Sequence, residues 1–437
     1  MSKTIKIDPL TRLEGHGEVT IKLGPDNTVE DVQFNVSSVR FFEKFLEGRI
    51  AEHAPHIVPR ICGICPIPHH LASIKAVEAA WDVQVPQPAL KVRELMMNAK
   101  QLASHVLHIA ALQLPDLLFG PLAPPEKRNV VAVIKALPDV GKSVVEAMKF
   151  GQELCDTIGG KAIHPVGSVP GGLTKPFSEE DRDRFLKQLP HVLEIGETVV
   201  NIGDKLVNDY LGVITKIGTV PTYYVGMVTR ENKELTIWDG LWRCMDKEGN
   251  IVAEVEPKDY MQVAAEHVAP HSMATHLYYR EAGYPEGIWR AGPLGRINVA
   301  EDMQTPMAKD LLKKFREVCG RPSHFVFSYI WARIIELVQA AEKIKMLLED
   351  PEIVSTDVKT VDVVPKAGNG VGMVEAPRGT LIHNYWTDAK GIITKANLIV
   401  GTNHNIGGIE LTLKAVAKQI FEENVLKDID LPEPMCK

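Results

Sequence analysis

Three long stretches of apolar residues at helical spacing constrain the fold of this chain most. The first runs from Val92 to Ala110, the second from about Asp183 to Leu211 with Pro190 bending it or marking a start, and the third from Ile330 to Leu348. Apolar side chains that recur every three or four residues form one face of a helix, and such faces need burial. The pattern predicts a bundle of long helices, closed by a helix from about Ile409 to Phe421.

The segments with a strand-like pattern are shorter than these helical stretches. Residues 18–23 alternate and residues 29–36 partly alternate around a turn at 24–27, which predicts an N-terminal β-hairpin. Residues 220–256 resemble a strand–turn–strand unit, and residues 357–400 resemble short strands broken by glycines 368, 370, 372 and 379. The predicted fold is α+β and α-rich. It is a single domain over residues 1–437, with the hairpin in about 1–40 and a helical core with short β excursions in 41–437.

Composition narrows the functional classes. The 437 residues are 45% hydrophobic and carry a formal net charge of -7, with a pI of about 6.1. A nucleic-acid-binding protein is usually basic, so that class is disfavoured. No apolar run approaches the roughly 18 residues of a membrane span, and the N-terminus lacks the apolar core of a signal peptide. A cytoplasmic protein without a membrane span is predicted.

Cysteine usage points to a metal or redox site. The chain has six cysteines, which are Cys62, Cys65, Cys155, Cys244, Cys319 and Cys436. Only Cys62 and Cys65 are close in sequence, and their spacing lets two thiolates reach one soft metal ion. Arg60 can lower the pKa of these thiols, and His69 can donate a hydrogen bond to sulfur. Half of a zinc site and a thioredoxin-like pair are the alternatives, although no second ligand cluster supports zinc.

The segment Arg60–Cys65 followed by His69 resembles the N-terminal nickel-binding motif of nickel–iron hydrogenase large subunits. Other stretches resemble the family's motifs in the family's order; they are residues 11–16, 40–43, 159–172, 292–294 and 375–379. The resemblance therefore extends over nearly the whole chain. It implies a hydrogenase large-subunit fold and a nickel ion held by four thiolates. Two of these thiolates bridge to an iron that carries carbon monoxide and cyanide.

The resemblance assigns a role to each matched residue. Cys62 and Cys65 match one terminal and one bridging thiolate. Glu14 matches the glutamate that passes protons from the metal site, if burial raises its pKa. Arg378 matches the arginine that overhangs the open metal position, and Asp116 matches the aspartate that pairs with this arginine and orients it.

Two further residues carry less specific assignments. Glu43 matches a carboxylate ligand of a nearby magnesium ion, with a surface salt bridge as the alternative. Thr402 lies in a stretch that matches the family's hydrogen-bond donor to an iron cyanide. The family often has proline where this chain has Gly401.

The match breaks at the C-terminus. Family members carry a second motif, Asp-Pro-Cys-x-x-Cys followed by histidine, whereas this sequence reads Leu-Pro-Glu-Pro-Met-Cys-Lys over residues 431–437. We expect the missing pair on a short companion polypeptide with selenocysteine in place of one cysteine, as in some hydrogenases of methanogens that do not reduce the deazaflavin F420. A truncated chain and a loss of catalysis are the alternatives.

The resemblance implies heterolytic oxidation of H2 to protons and electrons. The chain lacks the cysteines for an iron–sulfur cluster, so these clusters are expected only in a small partner subunit. In the F420-non-reducing group the electrons would continue through a ferredoxin-like subunit to heterodisulfide reductase. The alternative function is a non-catalytic scaffold in a larger redox complex, related to the quinone-site subunit of complex I.

Overall fold

The computed structural model describes residues 2–120 and 122–425. The helices are α1 Phe42–Leu46, α2 Ala54–Ile57, α3 Pro66–Trp81, α4 Gln87–Leu107, α5 Leu114–Phe119, α6 Val130–Ala136, α7 Pro138–Gly159, α8 Glu179–Asp209, α9 Leu211–Ile214, α10 Tyr260–Val263, α11 Gly292–Val299, α12 Pro306–Cys319, α13 Tyr329–Glu349 and α14 Ile406–Phe421. Single turns of 3-10 helix include Val58–Ile61 and Gly401–Asn405, and a π-helical stretch, His108–Gln113, joins α4 to α5. Cys436, on which the missing-motif prediction rests, lies outside the described residues.

The strands are β1 Lys3–Ile7, β2 Gly17–Leu23, β3 Val29–Val36, β4 Ser168–Val169, β5 Gly172–Leu173, β6 Tyr223–Val228, β7 Leu241–Met245, β8 Ile251–Val255, β9 Ala264–His267, β10 His276–Tyr279, β11 Trp289–Arg290, β12 Gly368–Ala376, β13 Gly379–Thr387 and β14 Ile393–Ile399. They form small separate sheets. β1-β2-β3 and β12-β13-β14 are antiparallel, and the β11-β6-β7-β8 sheet has β11 parallel to β6. The predicted hairpin is β2–β3, with β1 as an additional strand.

Long helices form the main core, as predicted. α4 packs against α7 and α13, and α13 also packs against α8 and α12. The apolar stripes of α4 and α13 supply fully buried residues such as Leu95, Ala99, Ile335 and Ile344. Pro190 lies inside α8 and does not mark its start. The predicted α-rich α+β fold is therefore confirmed, whereas α7 and α12 are helices that the sequence interpretation did not include.

One helical segment of the described chain, Gln87–Phe119, is long and apolar enough to cross a membrane by length and composition alone. In its most apolar window, 56% of the residues are buried inside the protein. This segment contains α4, and its packing against α7 and α13 explains its apolar composition. The sequence analysis predicted the helix within this segment, from Val92 to Ala110, but did not identify the segment as apolar enough to span a membrane.

α3 lies directly on β12, and this contact positions the cysteine pair. Gly368, Gly370 and Gly372 share one face of β12, where an added Cβ would overlap backbone carbonyl oxygens of α3. Those oxygens belong to Ala80, Ala76 and Ala72, one helical turn apart. The prediction that these glycines break short strands is wrong, because they lie within a nine-residue strand. Their role is to let a helix approach the sheet closely.

Candidate functional site

The cysteine pair lies between the 3-10 turn Val58–Ile61 and the first residue of α3. Cys62 and Cys65 form a disulfide with their Cα atoms 5.4 Å apart, and the backbone N–H of Cys65 donates to Cys62 Sγ at 3.1 Å. Two side chains this close can reach one metal ion when reduced. Both cysteines line a cavity of about 270 Å³. Of the predicted site residues, Glu14, His69, Arg378 and Thr402 line the same cavity.

Glu14 connects this cavity to solvent. It lies in the loop between β1 and β2, and its Oε2 is 3.3 Å from Cys62 Sγ. Its Oε1 accepts a hydrogen bond from the backbone N–H of Ile64 at 3.2 Å. The expected burial of Glu14 is not observed, because the residue is exposed. Its carboxylate therefore touches a sulfur atom and bulk water at the same time.

His69 begins a buried chain of polar groups. Its Nδ1 lies 3.1 Å from His383 Nε2, His383 Nδ1 lies 2.8 Å from the Tyr385 hydroxyl, and that hydroxyl lies 2.8 Å from Ser73 Oγ. Burial lowers the pKa of His69 to about 3 and holds the pKa of His383 well below its usual value, so both rings are neutral. The predicted hydrogen bond from His69 to sulfur is not among these contacts. His69 Nε2 is buried and has no hydrogen-bond partner within the described residues.

The backbone at Arg378 is held from three sides. Arg296, which is fully buried, donates to the carbonyl oxygens of Ala376 at 2.9 Å and Pro377 at 3.4 Å. Asn405 Nδ2 donates to the carbonyl oxygen of Arg378 at 2.9 Å. At Gly379, an added Cβ would overlap the backbone of the 3-10 turn that carries Thr402. These contacts fix the direction in which the Arg378 side chain leaves the backbone.

Arg296 itself depends on two buried carboxylates. Its guanidinium contacts Glu336 of α13 at 2.6 and 2.7 Å and Glu375 of β12 at 2.8 Å. The sequence interpretation included Glu375 in a family motif but missed Arg296 and Glu336. Arg296 follows the motif at 292–294 by two residues, and a charged residue in that apolar helix was the available signal.

The Arg378 guanidinium is nearly unpaired. Its Nη1 is buried without a hydrogen-bond partner within the described parts of the chain. Burial lowers the pKa of Arg378, and the negative charge of Glu14 opposes this shift. The structure contradicts the predicted pairing with Asp116, whose two carboxylate oxygens accept from Arg12 at 2.7 Å and Arg128 at 3.0 Å. Asp116 lies in the first turn of α5, beside the β1–β2 loop. Arg12 of that loop therefore forms the ion pair with Asp116 in place of Arg378.

Glu43 also has a different environment from the one predicted. Both of its oxygens accept from Arg40, at 2.6 and 2.8 Å, and one also accepts from the backbone N–H of Leu398 at 2.8 Å. These contacts form the salt bridge that was the alternative interpretation of Glu43. Among the described residues, Oε2 accepts only the one hydrogen bond from Arg40, so the carboxylate keeps an acceptor position, and magnesium binding at Glu43 stays a prediction.

A second cavity of about 370 Å³ shares Arg378 and Thr402 with the first. His108, Gln113 and Arg333 also line it, and each carries a buried polar atom without a partner in the described structure. Burial lowers the pKa of Arg333 to about 9 and that of His108 to about 2. Sequence reasoning missed this cavity; the available signal was Arg333 within the apolar stripe of the third predicted helix.

The donor set of the first cavity fits the implied nickel site in part. Cys62 and Cys65 supply soft thiolates, and the unpartnered Nε2 of His69 and Nη1 of Arg378 supply polar groups toward bound species. Cys155, Cys244 and Cys319 are buried in other elements and do not line this cavity. The described residues therefore provide two of the four expected sulfur ligands.

Sequence comparison matches residues 40–118 to the family described as nickel-dependent hydrogenase and residues 4–39 to a HoxL-like family. The chain is 46% identical to a subunit of the F420-non-reducing hydrogenase vhu of Methanocaldococcus jannaschii, over 96% of this chain and 99% of that protein. It is 47% identical to the protein of the same name from Methanococcus voltae, again over 96% and 99%.

Structural comparison agrees over the whole chain. The crystal structure of an NAD+-reducing [NiFe]-hydrogenase in the H2-reduced state matches with a TM-score of 0.91 and 34% identity, covering 99% of this chain and 95% of that one. The shared fold and the full-length identity lead to the same assignment. The chain belongs to the large subunits of nickel-dependent hydrogenases, which are oxidoreductases that act on H2.

Proposed function

We propose that this chain is the catalytic large subunit of a nickel–iron or nickel–iron–selenium hydrogenase that oxidises H2 heterolytically. The observation that carries the proposal is the meeting of Cys62, Cys65, Glu14 and Arg378 around one cavity. These residues are far apart in sequence and come from the β1–β2 loop, the start of α3 and the β12–β13 turn. They supply soft ligands, a proton acceptor and a fixed cation at one place.

The metal centre, when bound, supplies the position at which H2 is polarised and its electrons are removed. Cys62 and Cys65 would hold the nickel of a nickel–iron centre whose iron carries carbon monoxide and cyanide. Arg378 presents a buried guanidinium, which attracts electron density more strongly than it would in water. Thr402 lines the same cavity and could donate its hydroxyl to an iron cyanide.

The proton leaves through Cys62 and Glu14. Once the disulfide is reduced, a proton on Cys62 Sγ would pass to Glu14 Oε2, which lies 3.3 Å from this sulfur in the disulfide form, and the exposed carboxylate would then release it to water. His69 does not compete for this proton, because burial keeps its imidazole neutral with a pKa of about 3. The carboxylate is held in place by the backbone N–H of Ile64.

Electrons require a partner protein. Iron–sulfur clusters are held by four cysteine-type ligands, whereas Cys155, Cys244 and Cys319 lie singly in α7, β7 and α12. A small subunit would carry the clusters. Transfer onward through a ferredoxin-like subunit to heterodisulfide reductase rests on the family resemblance, and co-purification of these proteins tests it. A cytoplasmic location is part of the same proposal, and cell fractionation tests it.

The remaining sulfur ligands would come from a short polypeptide with one cysteine and one selenocysteine or cysteine. Two observations support this proposal. The first is that only two sulfur ligands line the cavity among the described residues. The second is the adjoining cavity of about 370 Å³, whose buried polar atoms on His108, Gln113 and Arg333 have no partners in the described structure. A docked segment would supply partners to such atoms.

Metal analysis of the purified native complex tests the proposed function. We expect near-stoichiometric nickel together with infrared bands of carbon monoxide and cyanide. Intact-mass spectrometry of the same sample should show the short polypeptide. A complex that lacks both nickel and these bands would favour the scaffold alternative. If the chain continues past Lys437 into its own cysteine motif, the companion polypeptide is refuted, but the proposed hydrogenase activity is not.

A further inference from the structure

A second set of metal-ligating side chains lies outside the cysteine pair. His271, His276 and Glu410 each offer one ligand atom, and these three atoms lie within 4.8 Å of one another. The three residues come from different elements. His271 lies in the loop between β9 and β10, His276 begins β10, and Glu410 lies in the first part of α14.

His276 is the member that most needs an explanation. Its side chain is 1% exposed, and its Nε2 has no hydrogen-bond partner in the described part of the chain. Its Nδ1 lies 3.3 Å from the Tyr284 hydroxyl. When Nδ1 carries the proton and donates it to this hydroxyl, Nε2 holds a free lone pair. A buried nitrogen without a partner costs free energy that a bound ion would recover.

The other two ligand atoms are already adjacent. His271 Nε2 and Glu410 Oε2 lie 2.7 Å apart, and the same Glu410 oxygen accepts from the backbone N–H of Phe34 at 2.9 Å. Burial lowers the pKa of His276, and the charge of Glu410 opposes that shift while His271 and His267 add to it. A neutral His276 is the form that binds metals.

We propose that His271, His276 and Glu410 form a binding site for a divalent transition-metal cation with the ligand preferences of zinc. Two imidazoles and one carboxylate suit zinc, with water in the fourth position. Ligand nitrogens and oxygens lie about 2.1 Å from zinc, so the three side chains need shifts of only about 1 Å. The donors are nitrogen and oxygen, which distinguishes this site from the thiolate site at Cys62 and Cys65.

The cation would fix one wall of the cysteine cavity. Ile409, next to Glu410, lines that cavity, and so does Ala274, which lies between the two histidines. Phe34, which donates to Glu410, lines it as well. One ion would therefore link β3, β10 and α14 where they enclose the proposed catalytic residues.

Zinc binding by the intact native complex tests the site. The complex is dialysed against zinc, freed of excess ion and examined by elemental analysis and zinc-edge X-ray absorption. We expect one zinc per chain with nitrogen and oxygen neighbours at about 2.0–2.1 Å and no sulfur at about 2.3 Å. His271→Ala should weaken zinc binding at least about 10-fold, because a ligand contributes no less than the outer-shell partners of a metal site do.

Variants distinguish a built site from surface binding. His271 is partly exposed and suits the main variant, and His276→Ala should show the same loss if it folds. His191→Ala is the matched control, because His191 forms an exposed pair with Glu146 at 2.9 Å and belongs to no group of three ligands among the described residues. The control should retain zinc. The proposal is overturned if His271→Ala retains as much zinc as the wild type, or if the bound zinc has sulfur neighbours.

Discussion

At the scale of single residues, Glu14 decides the proton route. Glu14→Gln keeps the size of the side chain and its hydrogen bond from Ile64, but it cannot take a proton from Cys62. General acid–base groups contribute about 100-fold or more, so we expect H2 turnover to fall by at least about that factor. Nickel content should not change. H2 uptake with an artificial dye measures the effect, with the exposed Glu52→Gln as control; turnover near wild type would place the route elsewhere.

The cysteine pair allows an equally direct test. Replacing Cys62 or Cys65 with serine removes a soft thiolate and leaves a neutral hydroxyl, which is a poor ligand for nickel. We expect loss of nickel and of H2 uptake in both variants. Cys319→Ala is the matched control, because Cys319 is buried at the end of α12 and does not line the cavity. Nickel retained at wild-type levels in either serine variant would refute the ligand assignment.

At the scale of elements, the contact between α3 and β12 sets the position of the cysteine pair. Gly370→Ala or Gly372→Ala would place a methyl group into the backbone of α3. Overpacking of this kind costs about 1–3 kcal/mol, and rigid backbone on the other side favours the upper end. We also expect partial loss of nickel, because α3 begins directly after Cys65.

Gly196→Ala is the control for this experiment. Gly196 lies inside α8 with nothing near an added Cβ, so alanine there should stabilise the protein by up to about 1 kcal/mol. Thermal unfolding and nickel analysis of the variants measure both effects. If Gly372→Ala is as stable as the wild type, α3 does not pack closely against these glycines.

The elements differ in how well their sequences predict them. α4 and α13 carry apolar stripes with a helical period, so their existence follows from local pattern. β12 has glycine at alternate positions, and locally this pattern predicts short strands interrupted by the glycines rather than one continuous strand. The strand pairs with β13, which follows it after a two-residue turn, but its glycines are required by α3, which lies far earlier in the chain. The local pattern does not show the contact with α3.

At the scale of the whole molecule, the candidate site also has features that local sequence predicts and features that depend on contacts between distant residues. Cys62, Cys65, Glu14 and Arg378 were predicted from motifs, and the fold brings them to one cavity. The partners of charged residues were not predictable in this way. Asp116 pairs with Arg12, and the reason is that α5 and the β1–β2 loop meet in space. Sequence motifs identify the residues that can react. Three-dimensional packing determines with which oppositely charged residue each of them forms an ion pair.

Buried histidines make the stability of the whole chain depend on pH. His69, His70 and His404 are fully buried, and burial lowers the pKa of each to about 3. In the unfolded chain the pKa of histidine is about 6.5. Well above pH 6.5 these histidines are neutral in both the folded and the unfolded state. As the pH falls below this value the unfolded state binds protons that the folded state does not, so stability decreases until about pH 3.

Each such histidine should cost roughly 1 kcal/mol of unfolding free energy between pH 7 and pH 5.5. His70→Gln tests this, because glutamine can still donate to the carbonyl oxygen of Pro55, which His70 contacts at 2.8 Å, but does not titrate. Urea unfolding at the two pH values should show a smaller loss in the variant than in the wild type, by roughly 1 kcal/mol. His191→Gln is the control: His191 is exposed, and hydrogen bonding to Glu146 raises its pKa, so its removal should not reduce the loss on acidification. If His70→Gln and the wild type lose equal unfolding free energy between the two pH values, the prediction fails. Protonation of His70 in the unfolded chain would then not be a cause of the loss of stability in acid.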